Sequence, residues 1–294
     1  MSYLGRFAPS PTGPLHIGSL ATALACACDA LAHGGHWILR IEDLDPPREV
    51  EGATVAIIHA LDTCGFRWHG DIVYQSRRGA AYTEALERLV AQQLVYPCGC
   101  TRREVEEHSV RRTFDGEPVY IGRCARGLPE DRSARSMRMR MPDTIVRFHD
   151  RWVGTQHENP ARETGDIVLK RADGYWAYHL AVVVDDLEAG INHIVRGDDL
   201  LHATARQIVI HQALGGAVPS YLHVPIVRNA MGEKLSKQTH APAVNSGDAL
   251  AELERAARHL GLALAPGRTL HDFWLRAPDA WASLLAAHGT ALNP

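Results

Sequence analysis

A chain of 294 residues, 46% hydrophobic and 22% charged, has the size and composition of an enzyme built on one large domain, or on one domain with an insertion and an appendage. Its net charge of −3 excludes a uniformly basic coat for nucleic acid, so any RNA contact must come from a local patch. No N-terminal stretch resembles a signal peptide and no run reaches the ~20 apolar residues needed to span a bilayer, so a cytoplasmic protein without membrane contact is expected. In such a compartment the six cysteines are buried thiols or metal ligands, not disulfides.

In chain order, Tyr3 to Phe7 reads as a short strand entering a Pro-rich turn. From Ile17 a helical pattern carries Leu20, Leu24 and Leu31 on one side and stops at Gly34-Gly35. Trp37 to Glu42 reads as a buried strand, and strand, glycine-bearing turn, helix and strand make a βαβ unit with a parallel sheet. Helical patterns follow at 49–64 and 79–94, the second with Tyr82, Leu86, Leu89, Val90 and Leu94 on one face. From Tyr96 short strands and turn residues suggest an insertion. It contains an arginine-rich run from Arg102 to Arg151, either a solvated mixed-charge surface or an RNA patch. β-rich sequence resumes at Ala177 to Asp185 and at Ile191 to Arg196. A helix at 199–214, a strand from Tyr221 to Val227, a helix at 247–261 and a short Trp-containing segment complete the chain. The expected organisation is an α/β fold in four parts. Residues 1–95 and 176–240 form the two halves of a parallel-sheet catalytic domain. Residues 96–175 are an insertion, and 241–294 a small helical C-terminal part.

Two separated segments bear the chemistry. The turn Arg6-Phe-Ala-Pro-Ser-Pro-Thr-Gly-Pro-Leu-His16-Ile-Gly18-Ser19 leaves a strand and opens a helix, so backbone N–H groups and the helix dipole can meet an anion; His16 adds a side-chain donor. Lys234-Leu-Ser-Lys237-Gln238 is an ordinary exposed loop unless paired with the first segment. Between them, Arg40-Ile-Glu42-Asp-Leu-Asp45-Pro-Pro-Arg48 sets acidic groups at the carboxyl end of a strand, where open α/β sheets bind ligands; a charged loop capped by Asp45 is the plainer alternative. Cys98-Gly-Cys100 followed by Tyr120-Ile-Gly-Arg-Cys124 can close a tetrahedral metal site, buried thiols being the alternative. Cys26, Cys28 and Cys64 read as core residues.

Together these strings resemble the glutamyl- and glutaminyl-type class I aminoacyl-tRNA synthetases, over roughly residues 1–240. The resemblance implies a Rossmann-type catalytic domain with a zinc-bearing insertion. It implies that His16, Gly18, Ser19, Lys234 and Lys237 bind ATP, and that His16 and Lys237 are catalytic. Arg6, Ala8, Ser10, Glu42, Tyr178 and Arg196 would hold L-glutamate, with Glu42 on its ammonium. A guanidinium has no acceptor for an amide N–H₂, so glutamate is favoured over glutamine. Structural salt bridges are the competing role for Arg6 and Arg196. Ser19 and Gln238 depart from the family signatures, where His and Ser are usual, and neither change removes the catalytic lysine.

The resemblance also assigns Zn²⁺ to Cys98, Cys100, Tyr120 and Cys124, and Mg²⁺ to the bound ATP. The short stretch after Gln238 matches a branch without an anticodon-binding domain, which activates glutamate without tRNA and transfers it to queuosine in tRNA(Asp). A monomer is expected. The rivals are a reduced synthetase charging a tRNA 3′ end and a non-catalytic RNA-binding paralogue.

Overall fold

The computed structural model describes residues 2–130, 132–228 and 242–289. Lys234, Lys237 and Gln238 lie outside the described residues.

Strand β1 (Leu4–Phe7), helix α1 (Ile17–Ala32) and strand β2 (His36–Ile41) form the expected βαβ unit, with β1 and β2 parallel and Arg6 opposite Ile38. Helix α2 (Ala53–Thr63) leads to the short β3 (Val73–Tyr74), parallel to β2. After α3 (Gly79–Ala91) the chain enters the insertion with β4 (Val95–Cys98), α4 (Arg102–His108) and β5 (Ser136–Met139), followed by β6 (Val146–Asp150) and β7 (Gly154–Glu158). The short α5 (Pro160–Glu163) precedes β8 (Ile167–Lys170). Helix α6 (Tyr178–Glu188), β9 (His193–Gly197), α7 (Thr204–Ala213) and β10 (Ser220–Val224) return to the parallel sheet, and α8 (Ala249–Leu260) and α9 (Leu270–Ala287) follow.

The strands fall into ladders β1-β2-β3, β7-β6-β10-β9 and the antiparallel β4-β5-β8. The last is built from residues 95–170, almost all within the stretch expected as an insertion. The hairpin β6–β7 of that stretch instead joins the sheet of β9 and β10, with β6 parallel to β10. The first two ladders abut at β1 and β9: Asn192 N–H donates to Leu4 O (3.1 Å), and Leu4 N–H to the Asn192 side chain (2.8 Å). Beyond that point no ladder joins the two strands among the described residues. The Cys26 thiol from α1 bridges the seam, 3.5 Å from Arg6 O and 3.2 Å from Val195 O. From this seam the chain runs outward in opposite directions, β1 to β2 and β9 to β10. That is a topological switch point, and a crevice is expected at the strands' carboxyl ends.

Side-chain alternation sets the layers. On β9, Val195 packs into the core of α1, α8 and α9, whereas Ile194 packs against Ile208 of α7. Helix α1 is buried almost all round, and its alanines and cysteines let it fit between the sheet and α8 and α9. The C-terminal helices therefore share the core of α1 and have none of their own.

The structure corrects four local expectations. Ala177 to Asp185 is not a strand: α6 begins at Tyr178, and Leu180 to Asp186 are all buried. Its Val-rich run mimics a strand because a helix enclosed on all sides loses its amphipathic period. The terminal Trp-containing segment is the 18-residue α9, with Trp281 fully buried. Leu31 is 48% exposed, so it leaves the face shared by Leu20 and Leu24. Val90 is 42% exposed while Tyr82 and Leu89 are fully buried.

Candidate active site

A cavity of about 470 Å³ opens at the seam, beyond the carboxyl ends of β1 and β9. Every described residue expected to hold ATP or glutamate lines it: Arg6, Ala8, Ser10, His16, Gly18, Ser19, Glu42, Tyr178 and Arg196. Ser10 and Pro9 reach it because the turn after β1 is tied to its neighbours, Glu42 N–H donating to Pro9 O (3.0 Å) and Val50 N–H to Pro11 O (3.0 Å). Gly13, at φ 142°, makes the reversal that brings the chain back toward α1.

At the phosphate end His16 is the N-cap of α1, and its Nδ1 accepts from the backbone N–H groups of Gly18 (3.1 Å) and Ser19 (3.3 Å). The expectation of a simple donor is refined by this. With Nδ1 an acceptor, the proton sits on Nε2, 3.1 Å from Ser19 Oγ, and that nitrogen is the one able to donate. Described residues on either side of the stretch that contains Lys234 and Lys237 lie beside this end: Val227 lines the cavity, and Val244 N–H donates to Leu15 O (2.8 Å).

The amino-acid end is built from two guanidinium groups with different surroundings. Arg6 is held from behind by Asp186 of α6 (Nε to Oδ1, 3.2 Å), which also takes the fully buried Arg40 (2.6 Å). Burial opposes ionisation of Asp186, but Arg40 and Arg6 outweigh it and keep its carboxyl below the usual range. Arg196 is only 4% exposed, lies 5.5 Å from the Tyr221 ring centroid and, among the described residues, donates to four acceptors, all neutral. Its Nε donates to His223 Nε2 (2.9 Å), one terminal nitrogen to Gln207 Oε1 (2.6 Å), and the other to Thr204 Oγ1 (2.8 Å) and Leu200 O (3.3 Å). Among the described residues no carboxylate touches it. A buried cation without a counter-ion, facing a cavity, suits an anionic ligand group.

Glu42 supplies the opposite charge. Arg40 donates to one of its oxygens (3.2 Å), and among the described residues the other takes no hydrogen bond. Burial raises its carboxyl above the usual range, partly offset by Arg40 and Arg6, so an added ammonium would favour the charged form. Tyr178, at the start of α6, closes the wall between Glu42 and Arg196, and burial followed by the Glu42 charge raises its hydroxyl.

Sequence reasoning passed over Arg40, Asp186, Asp150 and His223 as site residues. Arg40 on β2 and Glu42 just beyond its end share a parity opposite to Trp37 and Leu39, a signal that was available. Asp186 was hidden by the misread strand, since two adjacent aspartates both bury on an enclosed helix but cannot share a face of a strand.

The cysteine cluster lies in the insertion. The sulfurs of Cys98, Cys100 and Cys124 are all within 4.8 Å of one another, with Cys100 and Cys124 at 3.7 Å. Tyr120 Oη is 3.3 Å from Cys98 Sγ and 3.7 Å from Cys100 Sγ, and accepts from Cys124 N–H at 2.9 Å. Sulfurs at about 2.3 Å from a tetrahedral zinc stand about 3.8 Å apart, so the spacing and the donor set fit that ion. Burial raises Cys98, yet the Tyr120 hydroxyl, the Cys100 backbone and Arg138 bring it below its ordinary value; burial pushes Cys100 up to about 11. Among the described residues the buried apolar cluster around them adds only Tyr96, with half-buried Val105, Ala125 and Leu128 packed against it, and α4 fully buries none of its residues. The arginine-rich run is partly engaged in ion pairs, Arg103 with Glu107, Arg112 with Glu106 and Arg132 with Glu104.

No helix among the described residues is long and apolar enough to cross a membrane. Residues 4–254 match the family described as tRNA synthetases class I (E and Q), catalytic domain. The Glutamyl-Q tRNA(Asp) synthetase of Burkholderia cenocepacia (strain HI2424) is 56% identical over 288 residues, covering 95% of this chain and 96% of that one. Its namesake from Janthinobacterium sp. (strain Marseille) is 50% identical over 289 residues, covering 97% and 98%. The solved glutamate tRNA ligase of Elizabethkingia meningosepticum CCUG26117, in complex with its amino acid, superposes with a TM-score of 0.71 at 30% identity over 81% of this chain. The match covers 52% of that ligase, so the chain spans about half its length.

Proposed function

The chain belongs to the class I tRNA synthetases of the glutamate and glutamine type, a family of ligases, and on that premise we propose that it joins glutamate to queuosine of tRNA(Asp) by way of a tRNA-independent adenylate. The observation that carries the amino-acid assignment is the buried Arg196, with only neutral hydrogen-bond partners among the described residues, set across one cavity from Glu42. That pair accepts a side-chain carboxylate and an α-ammonium. It disfavours glutamine, whose neutral amide would leave the buried guanidinium without a counter-ion.

With the amino acid so held, Arg6, Ala8 and Ser10 face the space next to the phosphate end. There the α-carboxylate oxygen attacks the α-phosphorus of ATP, supplied with Mg²⁺, as the bond to the pyrophosphate oxygen breaks. His16 Nε2 and the first turn of α1 are suited to the phosphates, and Lys237 to the charge that grows on the leaving pyrophosphate. Holding both substrates in one cavity supplies proximity. A hydroxyl of the cyclopentenediol ring then attacks the acyl carbon, AMP leaves with the electron pair of the anhydride bond, and the hydroxyl proton passes to solvent. The queuosine acceptor rests on what the two relatives are called, and unpaired anticodon bases can be splayed into such a site. We assign zinc to Cys98, Cys100, Tyr120 and Cys124, where it cross-links the insertion and takes no part in the reaction.

The test is ATP–pyrophosphate exchange without tRNA, run with glutamate, glutamine and aspartate side by side. Exchange with glutamate alone is expected. Labelled glutamate should then enter tRNA(Asp) bearing queuosine and not the unmodified transcript. Loss of incorporation on removing only the 3′-terminal adenosine would favour charging of a 3′ end and defeat the proposed acceptor.

A further inference from the structure

Behind Arg196 lies a buried chain that the reaction as written does not use. His223 of β10 and Asp150 of β6 are both fully buried, and His223 Nδ1 lies 2.6 Å from Asp150 Oδ2. The other oxygen of Asp150 accepts the backbone N–H groups of Trp152 (2.9 Å), Val153 (2.9 Å) and His223 (3.2 Å), so the carboxylate is fixed on every side. Because an ionised carboxylate only accepts, His223 must carry its proton on Nδ1. Its Nε2 is then a bare lone pair, which takes Arg196 Nε–H at 2.9 Å with the Thr204 hydroxyl 3.3 Å away.

We propose that Asp150 and His223 are positioning residues that fix the aim of Arg196 by locking the His223 tautomer. A guanidinium has five N–H groups. In Arg196 one goes to His223, one to Gln207, and two to Thr204 and Leu200. A single N–H on the nitrogen facing Gln207 remains for the ligand. Specificity for a side-chain carboxylate therefore depends on where that one donor points, and its direction depends on the four neutral acceptors around it. Of these, His223 alone has an acceptor state conditional on a further residue.

The neighbourhood is consistent with a neutral ring. The charged and titratable groups that bear on His223 are Asp150, Arg196 and Arg6, with Tyr221 stacked beside it at 6.2 Å. Burial keeps the imidazole below its ordinary value against the pull of Asp150, and Arg196 and Arg6 add to the lowering. Asp150 stays ionised, its burial outweighed by His223 and the backbone N–H groups.

The proposal rests on Arg196 being a glutamate ligand, and the experiment separates the two ideas. The readout is glutamate-dependent ATP–pyrophosphate exchange, with KM measured for both substrates and the unfolding transition recorded for every variant. Asp150→Asn keeps an oxygen for the backbone donors but turns an N–H toward His223. That forces the proton to Nε2, where it opposes Arg196 Nε–H. KM for glutamate should rise at least about tenfold, with KM for ATP within about twofold. His223→Leu should do the same by removing the acceptor. His223→Gln, whose amide can donate to Asp150 and accept from Arg196, should restore KM to within about threefold. In ¹⁵N spectra, His223 should show a bare Nε2 in the wild type and a bare Nδ1 in Asp150→Asn.

If Asp150→Asn or His223→Leu folds normally yet keeps KM for glutamate within twofold, or raises both KM values alike, the positioning role is wrong. Should His223→Leu fail to fold, Asp150→Asn against His223→Gln decides alone. Arg196→Lys is the control on the underlying reading. An unchanged KM for glutamate in that variant removes glutamate from the site, whereas a raised KM with silent Asp150 and His223 variants defeats only the present proposal.

Discussion

Glu158 is the last residue of β7 and its side chain is buried, and burial followed by the nearby Glu163 charge pushes its carboxyl up to about 7. A group whose folded value is raised favours folding below its unfolded value, near 4.5, and that contribution is lost as pH rises through about 7. Glu158→Gln removes the ionisation. It should stabilise the chain at pH 8 by on the order of 2 kcal/mol and leave stability unchanged at pH 4, as read from urea unfolding at both values. The histidines act in the opposite sense. Burial lowers His179 to about 3 and His193 and His211 to about 4. Each contributes stability fully above the ordinary histidine value of 6.5, and the contribution falls away as pH drops from there through the folded values. At this scale the sequence was informative where a residue's partner is local or its motif familiar: His16, Glu42 and Arg196 all line the cavity. It was silent on Asp150 and His223, because 73 residues separate two groups 2.6 Å apart.

Among the elements, the cysteine knuckle depends most on something other than apolar packing. Its buried cluster consists of Tyr96, Cys98, Cys100, Tyr120 and Cys124, too few side chains to hold residues 99–135 unaided. A bound zinc would provide that cross-link, with folding and metal affinity coupled. Cys98→Ser should reduce the zinc content of the purified protein from one ion per chain to well below one. It should also expose the 99–135 segment to proteolysis, with the parallel sheet still protected. Unchanged stoichiometry by atomic absorption would remove the assignment. The Cys-x-Cys spacing was legible because a tight turn brings both sulfurs together, whereas α6 was not. An isolated run of valines reads as a strand, and only its enclosure between the sheet and its neighbours makes a helix of it.

At the scale of the molecule, Asp29 of α1 joins parts of the chain that lie far apart in sequence. It is fully buried and accepts from Tyr3 (2.7 Å), Trp281 of α9 (2.9 Å) and both terminal nitrogens of Arg151 (2.7 and 2.9 Å). The start of β1, the β6–β7 turn and the C-terminal helix thus meet on one carboxylate. Asp29→Ala leaves Arg151 without its counter-ion and should cost about 3–5 kcal/mol in denaturant unfolding. Asp62→Ala, which breaks the exposed pair with Arg67, should stay within about 1 kcal/mol. The parallel α/β architecture was readable from the first forty residues, since a βαβ unit admits few completions. The placement of the β6–β7 hairpin and of α9 was not, because neither has a local pattern that names its partner. The seam at β1 and β9 has a consequence of its own. Beyond Leu4 and Asn192 these strands run side by side without backbone rungs, crossed only by side chains such as Cys26 and Arg6 itself among the described residues, and Arg6 and Arg196 stand on opposite banks of the gap. A ligand taking a hydrogen bond from each is then a crosspiece of the sheet itself, and the enzyme's most complete fold is the one with its substrate built in.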